Sequence, residues 1–171
     1  MVDEYNSIAD EILKPSVKNA KLKAKEIWNS FCDKKIPVEL NDIIQKMGIY
    51  VKNADLSVDG YTKTSADGTC FILYSKNISI TRQRFTVAHE IGHIVLEHTS
   101  IFNNCNQFSK KSQEKEADIF AGELLVPSDD IKKFVKEKSP TVQDIINRYW
   151  ISRQAAFVAI ENNKLLSKIK K

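Results

Sequence analysis

Cysteine is scarce and unpaired in this sequence. Cys32, Cys70 and Cys105 form an odd, widely spaced set with no Cys-x-x-Cys pair among them. That excludes a disulfide framework and a thiolate metal centre, and it points to reduced thiols in a cytoplasm. Glycine and proline are also few, 5 and 4 of 171 residues, which excludes collagen-like and low-complexity chains. The longest wholly apolar run, Ala155 to Ile160, falls far short of the ~20 residues that span a bilayer, so no membrane partner is expected. The opening Met1-Val2-Asp3-Glu4 is acidic and has no apolar stretch behind it, so no secretory leader is expected either. Charge of one sign is modest: a net +4 is too mild to demand nucleic acid.

What remains is an ordinary globular composition, 42% hydrophobic and 28% charged. A chain of this length buries roughly 70% of its unfolded surface without staples, so residues 1–171 are expected to form a single domain. Pro15 opens a helical pattern in which Val17, Ala20, Ala24, Ile27, Trp28 and Phe31 recur three and four apart, giving an N-terminal helical segment within 1–35. A short helix over 39–47 ends at Gly48. Strands are expected at 49–51, 61–64 and 69–75, the last two joined across the Asp67-Gly68 turn signal. From Thr81 the period becomes helical, with helices over 81–98, 112–126 and 129–137 and a closing pair at 141–149 and 153–162. A small sheet followed by helices is an α+β arrangement.

All three histidines, His89, His93 and His98, fall within ten residues. Two of them frame His89-Glu90-Ile91-Gly92-His93, a His-Glu-x-x-His motif. On a helical wheel with His89 at zero, His93 lies at about 40° and Glu90 at about 100°. Phe85, Ala88, Gly92, Val95 and Leu96 gather between roughly 240° and 340° as a buried stripe. The imidazoles therefore stand one turn apart at the edge of the packed face, able to reach one metal ion. Glu90 points past that ion, where a carboxylate can take a proton from water activated at the metal. His98 falls at about 180°, away from the pair, and is not expected to be a ligand. The longer metzincin pattern fails at Leu96 and Thr99.

A catalytic zinc needs a third protein ligand and one open position. The helix over 112–126 offers Glu114, Glu116, Asp118 and Glu123. With Ala117 at zero, Glu114 at about 60° and Asp118 at about 100° share one shoulder of the buried stripe, while Glu116 and Glu123 lie near 260° and 240°. Glu114 is the expected third ligand, with Glu116 the alternative. Asp118 is expected to accept the distal N–H of a ligand histidine and fix its tautomer. Manganese or iron suits the same donors as zinc. Gly92, inside the apolar stripe, is expected to let the glutamate helix approach closely, and Pro127 to end that helix.

The segments Arg82-Gln83-Arg84-Phe85-Thr86-Val87-Ala88-His89-Glu90-Ile91-Gly92-His93 and Glu114-Lys115-Glu116-Ala117-Asp118-Ile119-Phe120-Ala121-Gly122-Glu123-Leu124-Leu125-Val126-Pro127 together resemble the ImmA/IrrE family of metallopeptidases. More loosely, the resemblance runs from about Pro37 to Ile160. It implies a compact zincin-like core of the gluzincin type, in the bacterial cytoplasm or on a mobile element. It implies zinc held by His89, His93 and Glu114, with Glu90 as catalytic base. It also implies proteolysis of a repressor or regulator of the helix-turn-helix type; because some relatives carry an N-terminal DNA-binding domain and 35 or so residues are too few for one, the regulator is expected to be a separate chain.

Residues 139–171 resemble a helix-turn-helix, with Ser152 as N-cap of the second helix and Lys132, Lys133, Lys136, Lys138, Lys168, Lys170 and Lys171 nearby. DNA contact or docking of a regulator is one reading. Ala155, Ala156, Val158 and Ala159 favour a packing element over a base-reading one. The competing function is therefore a regulatory module that keeps the metal fold and binds a regulator or DNA without proteolysis. The strand over 69–75 is a candidate edge for an extended substrate. Tyr61, Tyr74 and Tyr149 are the phenols available to a tetrahedral oxyanion.

Overall fold

The computed structural model describes residues 15–98 and 107–170, with the side chains of 107–109 excepted; Cys105, Lys171 and the acidic first residues lie outside them. The chain is α+β, with seven helices and a three-stranded sheet among the described residues. Helix α1 (Val17–Phe31) starts at Ser16, whose hydroxyl accepts the Asn19 N–H. Helix α2 (Leu40–Met47) stops where Gly48 turns left-handed at φ 65°, a conformation that costs glycine little. Strands β1 (Tyr50–Ala54), β2 (Gly60–Thr64) and β3 (Cys70–Ser75) follow. The β2–β3 hairpin closes at the expected turn: Gly68 takes φ 86°, and Asp67 Oδ1 accepts from the Ser65 hydroxyl and the Thr69 N–H.

The sheet corrects one expectation. Its order is β1-β3-β2, with β1 parallel and β2 antiparallel to β3, so the strand expected to be an edge is the central one. The register aligns Val51, Ile72 and Thr62 in one row. Ile72 is fully buried and Thr62 bonds to a residue of the next helix, so this row faces that helix.

Helix α3 (Ile80–Val95) begins at Ser79, whose hydroxyl accepts the Arg82 N–H. It ends three residues earlier than its periodicity predicts. Glu97 turns left-handed at φ 59°, and the His98 N–H folds back to the His93 carbonyl at 2.9 Å. Helix α4 (Gln107–Leu125) then crosses α3, and Pro127 separates it from α5 (Ser128–Lys138). A reciprocal Thr141–Asp144 capping box opens α6 (Val142–Tyr149), and Ser152 caps α7 (Arg153–Asn162) by accepting the Ala155 N–H. A 3-10 turn over Leu166–Lys168 follows.

Close helix packing is built from small residues. Ala20 and Ala24 of α1 and Ala117 and Ala121 of α4 are fully buried, letting those backbones approach. Phe120, Leu124 and Ile91 fill the remaining space with no exposed surface, each burial being worth about 1.5–3 kcal/mol. Between α3 and α4 the spacer is Gly92, as expected: a Cβ there would lie 3.0 and 3.2 Å from the Phe120 ring carbons and 3.3 Å from Ala117 Cα. Helices α5 and α6 are clamped by Asp130, which takes Arg148 Nη2 at 2.9 and 3.1 Å and the Tyr149 hydroxyl at 2.7 Å. Helix α7 buries Ala156 and Ile160 but exposes Phe157 and Val158, so only one of its faces packs.

Candidate metal centre

Helix periodicity brings His89 and His93 to the same end of the cleft, and the α3–α4 crossing at Gly92 delivers Glu114 to them. His89 Nε2 and His93 Nε2 lie 3.1 Å apart. Glu114 Oε2 is 3.3 Å from His89 Nε2, and Glu114 Oε1 is 3.5 Å from His93 Nε2. All three residues offer a donor atom within 4.8 Å of the others.

The hydrogen-bond partners decide which nitrogens carry protons. Asp118 Oδ1 accepts from His89 Nδ1–H at 3.0 Å, which leaves the His89 Nε2 lone pair free. His98 Nε2–H donates to Glu116 Oε2 at 2.9 Å, so His98 Nδ1 is the acceptor for His93 Nδ1–H at 3.1 Å. His93 Nε2 is then bare as well. With both rings neutral, two imidazole lone pairs face each other at hydrogen-bond distance, an arrangement that a cation between them, a proton on His89 or a metal ion, relieves. Zinc–nitrogen and zinc–oxygen bonds of about 2.0–2.2 Å at tetrahedral angles put neighbouring donors about 3.3–3.5 Å apart. The two histidine–glutamate separations, 3.3 and 3.5 Å, match that spacing, and the histidine–histidine separation of 3.1 Å is slightly shorter. Neutral imidazoles plus one carboxylate are also the right donor chemistry for it, so the residues fit the metal.

His98 is the correction to the helical wheel. A helix continued to residue 98 would turn it away; the left-handed turn at Glu97 brings it under His93 instead. Glu116 has other partners than the donor group: besides His98 it accepts the Ser16 N–H at the start of α1. Its side chain is 16% exposed, against 52% for Glu114.

Electrostatics follow from burial and these partners. Burial, then the neighbouring His89 and His98, push His93 down to about 3. Burial also works to lower His89, but the Asp118 hydrogen bond and charge outweigh it and raise that group. Glu90, only 6% exposed, is raised by burial, with the hydrogen bond from Thr62 Oγ1 to its Oε2 opposing. A carboxylate held in that way is nearer to proton exchange at neutral pH than an exposed one.

A cleft of about 260 Å³ opens over this group, lined by His89, Glu90, Glu114 and Asp118 with Gly60, Thr86 and Phe85. At its mouth Arg82 Nε donates to Asp59 Oδ2 at 2.6 Å. Gly60 belongs to the sheet edge beside Glu90: a Cβ there would stand 2.5 Å from Thr86 Cγ2 and 2.9 Å from the Leu73 carbonyl oxygen. Edge strand β2, and not β3, therefore borders the cleft. Sequence reasoning missed Thr62, Gly60 and His98; a glycine at the start of a strand was the one local signal. None of the three candidate phenols lines the cleft. Tyr149 is fully buried against Asp130, Tyr61 lies by alternation on the face of β2 opposite Thr62, and Tyr74 lines a different groove.

The sequence model of the family described as "IrrE N-terminal-like domain", Peptidase_M78, matches residues 44–161. "Metallopeptidase ImmA" of Bacillus subtilis (strain 168) is 30% identical over 116 residues, covering 66% of this chain and 59% of that protein. The chain thus matches under two-thirds of that relative's length. Among solved structures, a "Mycobacterium tuberculosis transcriptional regulator" aligns with a TM-score of 0.59 at 10% identity, over 81% of this chain and 45% of that one. That likeness concerns the fold.

Proposed function

This chain belongs to the Peptidase_M78 family of IrrE N-terminal-like domains, and from that premise we propose that it is a zinc-dependent endopeptidase acting on a transcriptional regulator of the helix-turn-helix type. His89, His93 and Glu114 hold the metal. Zinc bound there supplies Lewis acidity, polarising a peptide carbonyl and lowering the pKa of water. Asp118 holds the His89 ring through its Nδ1–H, and His98 does the same for His93. Glu90 accepts the proton of the attacking water and passes it to the departing amine. Its burial and its bond from Thr62 keep the carboxylate at the cleft wall, ready for both transfers. Strand β2 aligns an extended substrate segment along its free edge.

The observation that carries this reading is Glu90 itself. Metal binding by the other three residues does not need a fourth, buried carboxylate in the same cleft. The substrate class rests on the family resemblance alone.

The test is co-incubation of the zinc-loaded protein with the helix-turn-helix regulator encoded nearest to it, beside a Glu90→Gln variant. A discrete regulator fragment with the wild type, and none with the variant, is expected. Stable association without a fragment, equal for both, would overturn proteolysis of that regulator and favour a binding module.

A further inference from the structure

A second groove, of about 290 Å³, lies on the far side of α3 from the metal centre and shares no lining residue with the first cleft. Its lining is mixed: Leu40 and Ile44 of α2, Val51 of β1 and Val87 of α3 supply an apolar strip, and Glu39, Asn41 and Gln83 supply polar groups. Set into that surface is Arg84, only 9% exposed. Its Nη2 donates to the Val38 carbonyl at 3.0 Å, and the Trp150 ring covers its face at 4.8 Å. Its Nε has no hydrogen-bond partner, and among the described residues no carboxylate forms an ion pair with it.

A guanidinium has five donors in a planar fork, and removing it from water is costly without an anion to meet it. One backbone carbonyl and one ring face satisfy it in part. Burial accordingly lowers the Arg84 pKa, with the charge of Glu39 opposing. Glu39 is exposed at the groove's rim, where water screens it. Arg84 is thus a buried cation with no ion pair among the described residues, lining a groove that also holds an apolar strip of Leu40, Ile44, Val51 and Val87.

We propose that this groove binds a small organic carboxylate with an aryl or branched alkyl body, its carboxylate on Arg84 and its body against α2 and β1. The fork geometry favours a planar carboxylate over a compact inorganic anion. A volume at the lower end of small-molecule pockets restricts the body to about one ring. A dianion is disfavoured by Glu39 at the rim.

Benzoate is the probe, and benzamide its uncharged counterpart. The chain has two tryptophans, Trp28 and Trp150, so in a Trp28→Phe background the fluorescence reports on Trp150 over Arg84. At constant ionic strength benzoate is expected to give a saturable change, with benzamide at least tenfold weaker. Arg84→Met is expected to weaken benzoate at least tenfold, and Glu39→Gln to tighten it. An unsaturable benzoate response, or equal responses to benzoate and benzamide, would overturn the proposal. So would unchanged benzoate binding in a folded Arg84→Met. Should Arg84→Met fail to fold, the benzoate–benzamide contrast and the Glu39→Gln shift still decide it.

Discussion

Gly92→Ala tests whether the helix crossing sets the metal geometry. The added Cβ meets Phe120 ring carbons at 3.0 and 3.2 Å and Ala117 Cα at 3.3 Å. Carbon–carbon contacts relax at about 3.5–4.0 Å, so α4 must retreat by roughly half an ångström. Phe120 has no exposed surface and nowhere to turn. Overpacking of this kind costs about 1–3 kcal/mol, and the better helix propensity of alanine returns about 1 kcal/mol. The net loss expected in urea denaturation of the chelator-treated protein is therefore about 1 kcal/mol. The larger effect is on the metal. Glu114 lies one turn from Ala117 on the helix that is pushed away, so its 3.3 and 3.5 Å approaches to the histidines lengthen. Zinc affinity, measured by competition with a chromophoric chelator, is expected to fall about tenfold, the order lost when groups supporting a metal ligand are disturbed. Gly122→Ala is the control on the same helix: its Cβ meets nothing within 4 Å. It is expected to gain about 0.5–1 kcal/mol and leave zinc affinity unchanged. A Gly92→Ala protein as stable as the wild type, binding zinc equally well, would refute the reasoning.

Asp118→Ala and His98→Ala are each expected to weaken zinc about 10–100-fold with the far-ultraviolet circular dichroism unchanged; wild-type affinity in His98→Ala would refute the tautomer assignment at His93. Gly60→Ala forces a Cβ to 2.9 Å from a backbone oxygen that cannot step aside, so a loss of about 1–3 kcal/mol in chemical denaturation is expected, and a neutral result would mean that β2 is free to shift from Glu90. In the metal-stripped protein His93 is held at about 3, below its unfolded value of about 6.5. The unfolded chain binds the extra proton between those limits, so this stabilisation is complete above about pH 6.5 and is lost as the pH falls toward 3. His89, shifted upward, contributes with the opposite sign, fully below the unfolded value and lost as the pH rises through its folded one. The His93 change, large enough to take the group to about 3, dominates, so urea midpoints are expected to be lower at about pH 4.5 than at pH 7, and His93→Gln to flatten the difference; a flat wild-type profile would count against the burial argument.

The parts of the site legible in the sequence are those that depend on one helix at a time. The one-turn spacing of His89 and His93, the shared shoulder of Glu114 and Asp118, and the need for a small residue at Gly92 all follow from 3.6 residues per turn. What was illegible depends on which element lies across the helix. The wheel placed the buried stripe of α3 along Phe85, Ala88 and Gly92, yet Thr86, Val87, Glu90 and Ile91 are buried too, because the sheet covers their side. That cover makes Glu90 a desolvated carboxylate instead of a solvated one, and no local pattern announces it. The central position of β3 did leave a mark, since Cys70-Phe71-Ile72-Leu73-Tyr74 is a continuous apolar run of the kind a covered strand shows. His98 left none. Its partner role depends on Glu97, a non-glycine residue, accepting φ 59°, and nothing in Leu96-Glu97-His98 favours that turn over another helical step. The two candidate ligand histidines thus look equivalent in sequence while their supports differ in origin. His89 is held by a carboxylate that periodicity predicts, and His93 by a ring that only the chain reversal delivers.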